Sequence, residues 1–319
     1  MMYEKTILVT GGAGFIGSNY LNMMVPKYPE YHFVNCDVLT YAGNLDNISV
    51  SLAPNYSFVK ADICDVGALT QLFTDFTPTH IVHFAAESHV DNSIAGPRVF
   101  IETNVLGTTN LLELARTHGV SRFHHISTDE VYGSLSPESA PSVEDDRTLP
   151  NSPYSASKCA SDLIVRSYNK TFGLDTVTTR ASNNYGPNQH AEKLIPHFIS
   201  RLLSDKQVPL YGNGKNVRDW IHVSDHILGI DAVFHRGRSG EIYNLGGGNE
   251  IENIVITKKL IALSGKGDEM IAYVTDRLGH DIRYALDSSK ATRELGWVPK
   301  KNFSDGLAET FAHYKKLHG

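Results

Sequence analysis

A chain of 319 residues is about twice the usual single-domain length, so a large domain with a smaller partner is expected. Its 41% hydrophobic and 20% charged residues are ordinary for a globular protein and exclude the disordered and fibrous classes. A net charge of -6 excludes a global basic field for nucleic acid, while leaving local Lys and Arg clusters free to hold small anionic ligands.

Short apolar runs alternate with longer helix-period segments through the first half, the pattern of βαβ units feeding a parallel sheet. The predicted strands are Lys5 to Thr10, His32 to Asp37, Ser57 to Asp62, His80 to Ala85, Arg122 to Thr128 and Leu174 to Arg180. Helices are expected near Phe15 to Met24, Val66 to Phe73, Arg98 to His118 and Pro153 to Thr171. Right-handed crossovers wind such units into a Rossmann-type, doubly wound α/β sheet with ligands at the carboxyl ends of the strands. After about Gly186 the elements shorten and are broken by Pro, Gly and Asn. We therefore expect a dinucleotide-binding domain over 1–185, with a returning segment near 219–248, and a mainly substrate-binding domain over 186–319. The cleft between them is the expected active site.

Cys36, Cys64 and Cys159 are odd in number and widely spaced, with no CxxC pair, which fits a reducing compartment. The N-terminus has neither a basic stretch followed by a long apolar run nor a cleavage-site pattern, and no run of some 18 apolar residues occurs. The expectation is a cytoplasmic protein with no membrane partner.

The segment Thr10-Gly-Gly-Ala-Gly-Phe-Ile-Gly17 links the first strand to the first helix. Glycines at 11, 14 and 17 let the backbone approach a pyrophosphate, whose charge is favoured by the helix start. A glycine-rich turn alone is weak, because it also serves ligand-free strand-to-helix connections. Asp37, twenty residues beyond Gly17 at the end of the second strand, adds a carboxylate for the adenosine ribose hydroxyls. It would repel a 2′-phosphate, so NAD is the expected cofactor.

Tyr154 and Lys158 form a YxxxK pair whose i, i+4 spacing sets both side chains on one helix face. Bringing a phenol from its ordinary pKa of about 10 to neutrality needs about 4 kcal/mol. A cation about 4 Å away supplies roughly that at an effective dielectric of about 20. An isolated YxxxK ordinarily marks a surface helix, but here it follows a glycine-rich turn, an acidic strand end and a fifth strand. Ser127-Thr-Asp-Glu130 follows that strand directly, and two adjacent carboxyls can serve a water elimination, one as acid and one as base.

Taken together, these features resemble the extended branch of the short-chain dehydrogenases. Within it, Thr10 to Asn19, Phe84 to Asp91, Ser127 to Gly133, Ser182 to Pro187, Glu192 to Pro196, Pro209 to Gly212, Val217 to Trp220 and Asp276 to Asp281 resemble the dTDP-glucose 4,6-dehydratase family over nearly the whole chain. The resemblance implies conversion of dTDP-glucose to dTDP-4-keto-6-deoxyglucose through C4 oxidation, loss of water across C5 and C6, and hydride return to C6 on tightly bound NAD. Thr128 is then expected to bond the C4 oxygen beside Tyr154, with Asp129 as acid, Glu130 as C5 base, and Lys158 on the nicotinamide ribose. Cofactor contacts are implied for Gly11, Gly14, Phe15, Ile16, Gly17, Asp37, Asp62, Ile63, Ala85, Ala86, Tyr154, Lys158 and Asn183. Nucleotide-sugar contacts are implied for Ser88, Thr128, Asn183, Lys193, Leu194, Pro209, Tyr211, Arg218, Asn253, Arg277, His280 and Tyr284.

Arg218 and Arg277 suit a diphosphate through their planar forks, and Tyr211 can stack on a pyrimidine. The chain is short between Tyr132 and Asn151, where some members carry an insertion. A 4,6-dehydratase for a UDP- or CDP-sugar, a nucleotide-sugar 4-epimerase and a non-catalytic NAD sensor stay open as alternatives. No metal is expected, although His222 and His226 have helical i, i+4 spacing; His124 and His125 fall on opposite faces of a strand. A homodimer is expected through the helices near 98–118 and 153–171, where Leu111, Leu112, Leu163 and Ile164 extend the apolar positions beyond one face.

Overall fold

The protein is described from a computed structural model that covers residues 3–276 and 279–318. The chain opens with β1 (Lys5–Thr10), α1 (Phe15–Lys27), β2 (Tyr31–Asp37), β3 (Tyr56–Lys60), α2 (Val66–Phe76) and β4 (His80–His83). It continues through α3 (Val90–Ala95), α4 (Arg98–Phe100), a π-helical turn (Ile101–Gly107) and α5 (Thr108–Thr117). Next come β5 (Arg122–Thr128), a 3₁₀ turn (Asp129–Tyr132), α6 (Pro153–Phe172), β6 (Thr176–Ala181) and β7 (Asn183–Tyr185). The remainder is α7 (Leu194–Leu203), β8 (Val208–Tyr211), β9 (Val217–His222), α8 (Val223–Arg236), β10 (Ile242–Leu245), β11 (Glu250–Glu252), α9 (Asn253–Ser264), β12 (Ile271–Val274), α10 (Ser289–Leu295) and α11 (Phe303–His318).

Seven strands form one parallel sheet in the order β3-β2-β1-β4-β5-β6-β10, the doubly wound arrangement whose ligands sit beyond the strands' carboxyl ends. Its strands are apolar on both faces because both are covered. In β1, Ile7 and Val9 join a core with α1, α8 and Trp297, whereas Leu8 joins one with Phe73, Leu111, Leu112 and Phe123. The chain returns to the sheet through α8 and β10, and Ala291 and Leu295 of α10 pack on the same side. The smaller lobe has β9 between β7 and β11, a separate β8–β12 pair, and a core in which Ile195, Phe198, Leu260 and Leu307 bring α7, α9 and α11 together.

β1 and β5 have the expected limits, but β3 stops at Lys60 because Asp62 turns the chain, its Oδ1 accepting from the Cys64 amide at 2.8 Å. β4 ends at His83, where Phe84 and Ala85 lift over the glycine-rich turn, and the last strand of the first half starts at Thr176, after Leu174 has plugged the core. The helix expected over 98–118 is interrupted by the π turn, a widening that hydrophobic spacing does not reveal. Leu111 and Leu112 are fully buried in the core and do not extend its outer face, and Ile164 also packs inward. The exposed apolar residues of this region are Val99, Ile101, Leu106, Leu163 and Phe172. His222 is not helical: it ends β9 and caps α8, its Nδ1 accepting from the Ser224 amide, while Nδ1 of His226 lies 2.9 Å from Asn184 Oδ1. Among the described residues no three potential ligands gather as a metal site, and no helix is long and apolar enough to cross a membrane.

Candidate active site

The glycine-rich turn brings β1 into α1 without side chains in the way. Gly11 has φ +70, and a Cβ there would lie 2.6 Å from the Ala85 amide nitrogen; a Cβ on Gly17 would run into the Gly11 carbonyl. Gly14 caps α1 without a side-chain bond, so no side chain of the cap fills the helix start. Phe15, Ile16 and Gly17 follow it on one wall of a cavity of about 400 Å³. Asp37 faces them from β2, accepting from the Ala13 amide at 2.9 Å and the Leu39 amide at 2.8 Å. Asp62, Ile63, Ala85 and Ala86 supply further walls from the ends of β3 and β4. Open amides for a diphosphate at one point and a fixed carboxylate for ribose hydroxyls at another fit NAD, with Lys158 and Lys193 the lining cations among the described residues.

The cavity runs on to Thr128, Asp129, Glu130, Tyr154 and Lys158. Pro153 and a reciprocal Ser152–Ser155 capping box fix where α6 begins, and hence the first-turn position of Tyr154. Thr128 ends β5, where its Oγ1 donates to Asp129 Oδ1 at 3.2 Å and accepts from the Glu130 amide at 3.3 Å. Thr128 also acts on the Tyr154 phenol, drawing its pKa down against the effect of burial.

Asp129 is 3% exposed, and burial, reinforced by Glu130 and Asp219, holds its carboxyl well above the usual range. Burial thus favours its protonated form, the one an acid needs, and its Oδ2 has no hydrogen-bond partner among the described residues. Burial pushes the Lys158 ammonium down to about 8, with Asp162 opposing. Burial and the charge of Glu130 drive the Tyr154 phenol upward, with Thr128 acting against them. The protein's own groups thus leave Tyr154 further from neutrality than the YxxxK spacing implies, and Lys158 Nζ donates 2.7 Å to the Ile126 carbonyl.

Ser88, Glu130 and Asn183 also line a second, adjoining cavity of about 430 Å³. Around it stand Lys193, Leu194, Pro209, Tyr211, Arg218, Asn253, His280 and Tyr284. Lys193 Nζ donates to the Ser88 carbonyl at 2.9 Å, tying α7 to the loop after β4. Arg218 donates to the carbonyls of Val217 at 2.8 Å and Asp281 at 2.9 Å, and its guanidinium lies 4.4 Å from the Tyr284 ring centre. The Tyr284 hydroxyl donates to Asp281, and Tyr211 meets His280 edge-on at 6.1 Å. Arg277 lies outside the described residues.

Several lining groups had no readable signal. Thr103 is carried inward by the π turn, and Gln189 and His190 come from the irregular stretch after β7. The segment Val38–Gly43 could have been inferred from its position after Asp37.

A family model described as GDP-mannose 4,6 dehydratase matches residues 8–310. The dTDP-glucose 4,6-dehydratase of an Actinoplanes species is 47% identical over 315 residues, covering 97% of each chain. The dTDP-glucose 4,6-dehydratase DesIV of Streptomyces venezuelae, solved with NAD bound, superposes with a TM-score of 0.94 at 49% identity, over 98% of this chain and 97% of that one. The UDP-glucose 4-epimerase of Thermotoga maritima reaches 0.92 at 29% identity, over 98% and 100%. Dehydratase and epimerase thus share the scaffold.

Proposed function

The chain belongs to the GDP-mannose 4,6-dehydratase family and within it to the dTDP-glucose 4,6-dehydratases, and from that membership we propose how its residues divide the work of an NAD-dependent hydro-lyase. The substrate is dTDP-glucose and the product dTDP-4-keto-6-deoxyglucose. NAD held in the cavity beside Lys158 would supply the acceptor for the C4 hydrogen as hydride and the donor that returns it to C6.

Tyr154 accepts the proton of the C4 hydroxyl while Thr128 holds that oxygen, giving the 4-ketone. The ketone acidifies the neighbouring C5–H, which Glu130 removes as a proton. The C6–O bond breaks as Asp129 protonates the leaving oxygen, and water departs. When C6 receives hydride, Glu130 returns its proton to C5. Tyr154 is then one proton in excess and Asp129 one short, so exchange with solvent restores the site with no net redox change. Lys158 holds the nicotinamide ribose. Arg218, Lys193 and Asn253 hold the nucleotide-sugar, with Pro209 and Tyr211 at the base.

The observation that carries this reading is Asp129: a buried carboxyl, held well above its usual range beside Glu130, that accepts from the Thr128 hydroxyl. An epimerase needs no such acid. Purified protein given dTDP-glucose or UDP-glucose separately, with product masses read, tests it. Loss of one water from dTDP-glucose is expected; an unchanged mass with C4 inversion would overturn the assignment. We further propose a cytoplasmic homodimer joined through the face bearing Val99, Ile101, Leu106 and Leu163. A monomeric mass by solution scattering at micromolar concentration would contradict the dimer.

A further inference from the structure

The acid and base sit on one element and the redox pair on another: Asp129 and Glu130 on the 3₁₀ turn after β5, Tyr154 and Lys158 on α6. Elimination needs both sets at one hexose, where a misplacement of about 1 Å costs about 100-fold. One end of the turn is fixed by β5, whose Ser127 and Thr128 pair in register with Arg180 and Ala181 of β6. The other end is Tyr132, and beneath it lies a polar assembly that the reaction itself does not use.

Arg180 donates Nε to Asp162 Oδ2 at 2.9 Å, and Asp162 stands on α6 one turn beyond Lys158. The guanidinium carbon lies 4.7 Å from the centre of the Tyr132 ring, and the Tyr132 hydroxyl donates to Asn244 Oδ1 at 2.8 Å on the neighbouring β10. His125 of β5 closes the far side, its Nε2 3.3 Å from Asp162 Oδ1. Arg180, Asp162 and Tyr132 are 4%, 5% and 7% exposed. A buried ion pair is weak as a source of stability, because apolar residues of like volume serve the fold as well or better. What the pair adds is direction: the guanidinium is held by Asp162 over the ring.

We propose that Arg180 is a positioning residue for the elimination step: held by Asp162 of α6, it seats Tyr132 and thereby fixes the Asp129–Glu130 turn relative to Tyr154 and Lys158. The inference rests on the dehydratase reading above. It concerns water loss rather than oxidation, because Tyr154, Lys158 and Thr128 keep their own anchors on α6 and β5.

The test compares Arg180→Met, Tyr132→Leu and Tyr132→Phe with the parent, each loaded with NAD. Three signals are read: the single-turnover rise of nicotinamide absorbance for oxidation, exchange of the substrate C5 hydrogen with solvent deuterium, and release of dehydrated product. Arg180→Met and Tyr132→Leu should oxidise within about 3-fold of the parent yet lose about 30- to 100-fold in C5 exchange and product, so that the absorbance persists at steady state. Tyr132→Phe, which keeps the ring under the guanidinium, should stay within about 3-fold throughout. Equal losses in oxidation and elimination, or no loss in either, would overturn the positioning role. If Arg180→Met does not fold, the contrast between Tyr132→Leu and Tyr132→Phe decides the matter. A parent enzyme that forms no dehydrated product would instead sink the functional assignment.

Discussion

Lys158 donates its ammonium to the carbonyl oxygen of Ile126 at 2.7 Å, which ties the helix carrying Tyr154 to the strand that ends in Thr128. The bond holds a cation in a buried place. Its folded pKa of about 8 lies below the ordinary 10.5, so the unfolded chain binds more protons between those values and stability rises with pH across that window. Below about pH 8 the whole cost, about 3 kcal/mol, is present. Lys158→Met should therefore melt no lower than the parent at pH 7, and by calorimetry a few degrees higher, while turnover falls at least ~100-fold. A lower melting temperature would show that the ammonium is a net support of the fold.

Asp129→Asn with Glu130→Gln keeps the volumes but removes the proton donor and acceptor. With Tyr154, Lys158 and NAD in place, the double variant should show bound reduced nicotinamide and a 4-keto-glucose nucleotide, while dehydrated product falls at least ~100-fold. Tyr154→Phe should suppress the absorbance change itself. Near-parental dehydration by the double variant would reduce both carboxyls to scenery.

Asp37 spends its two oxygens on the Ala13 and Leu39 amides, so the side chain is aimed before any ribose arrives. Asp37→Ser should weaken NAD binding by about 10-fold, the worth of about one charge-assisted hydrogen bond, and narrow the preference over NADP. Calorimetric titration of cofactor-stripped protein reads both, and an unchanged ratio of the two affinities would contradict the role.

Because one bound nicotinamide serves both carbons, substrate deuterated at C4 should give product deuterated at C6, read by mass spectrometry and NMR. Stoichiometric reduced cofactor in the filtrate would rule the shuttle out.

The parts of the molecule legible in the sequence are those with local chemistry. β1 is bounded by its glycines and β5 by Ser127 and Thr128, and α6 announces itself through Ser152, Pro153 and the i, i+4 spacing of Tyr154 and Lys158. β3 and β4 end sooner than their apolar pattern suggests, because an Asx turn at Asp62 and the lift of Ala85 over Gly11 interrupt them. The π turn was hidden because Ile101 to Gly107 reads as ordinary helix. Arg180, Asp162 and Tyr132 come from three separate elements, and nothing in their spacing brings them together. The smaller lobe pairs β8 with β12 across some sixty residues, a partnership that only tertiary packing creates.

The sheet and its flanking helices also bury the imidazoles of His83, His124, His125 and His226 almost completely. Burial lowers all four, His125 to about 4, His226 to about 3 and the others well below the usual value, so each is neutral in the fold. In the unfolded chain each takes up a proton below about pH 6.5. Stability is therefore lost as pH falls through that value, by about 1.4 kcal/mol per imidazole per pH unit, and the raised carboxyl of Asp129 offsets part of it. The denaturant midpoint should drop steeply between about pH 6 and 4, and a flat profile there would mean the imidazoles are matched in the unfolded state. A cell whose interior acidifies would then stop making the 4-keto sugar by losing the protein.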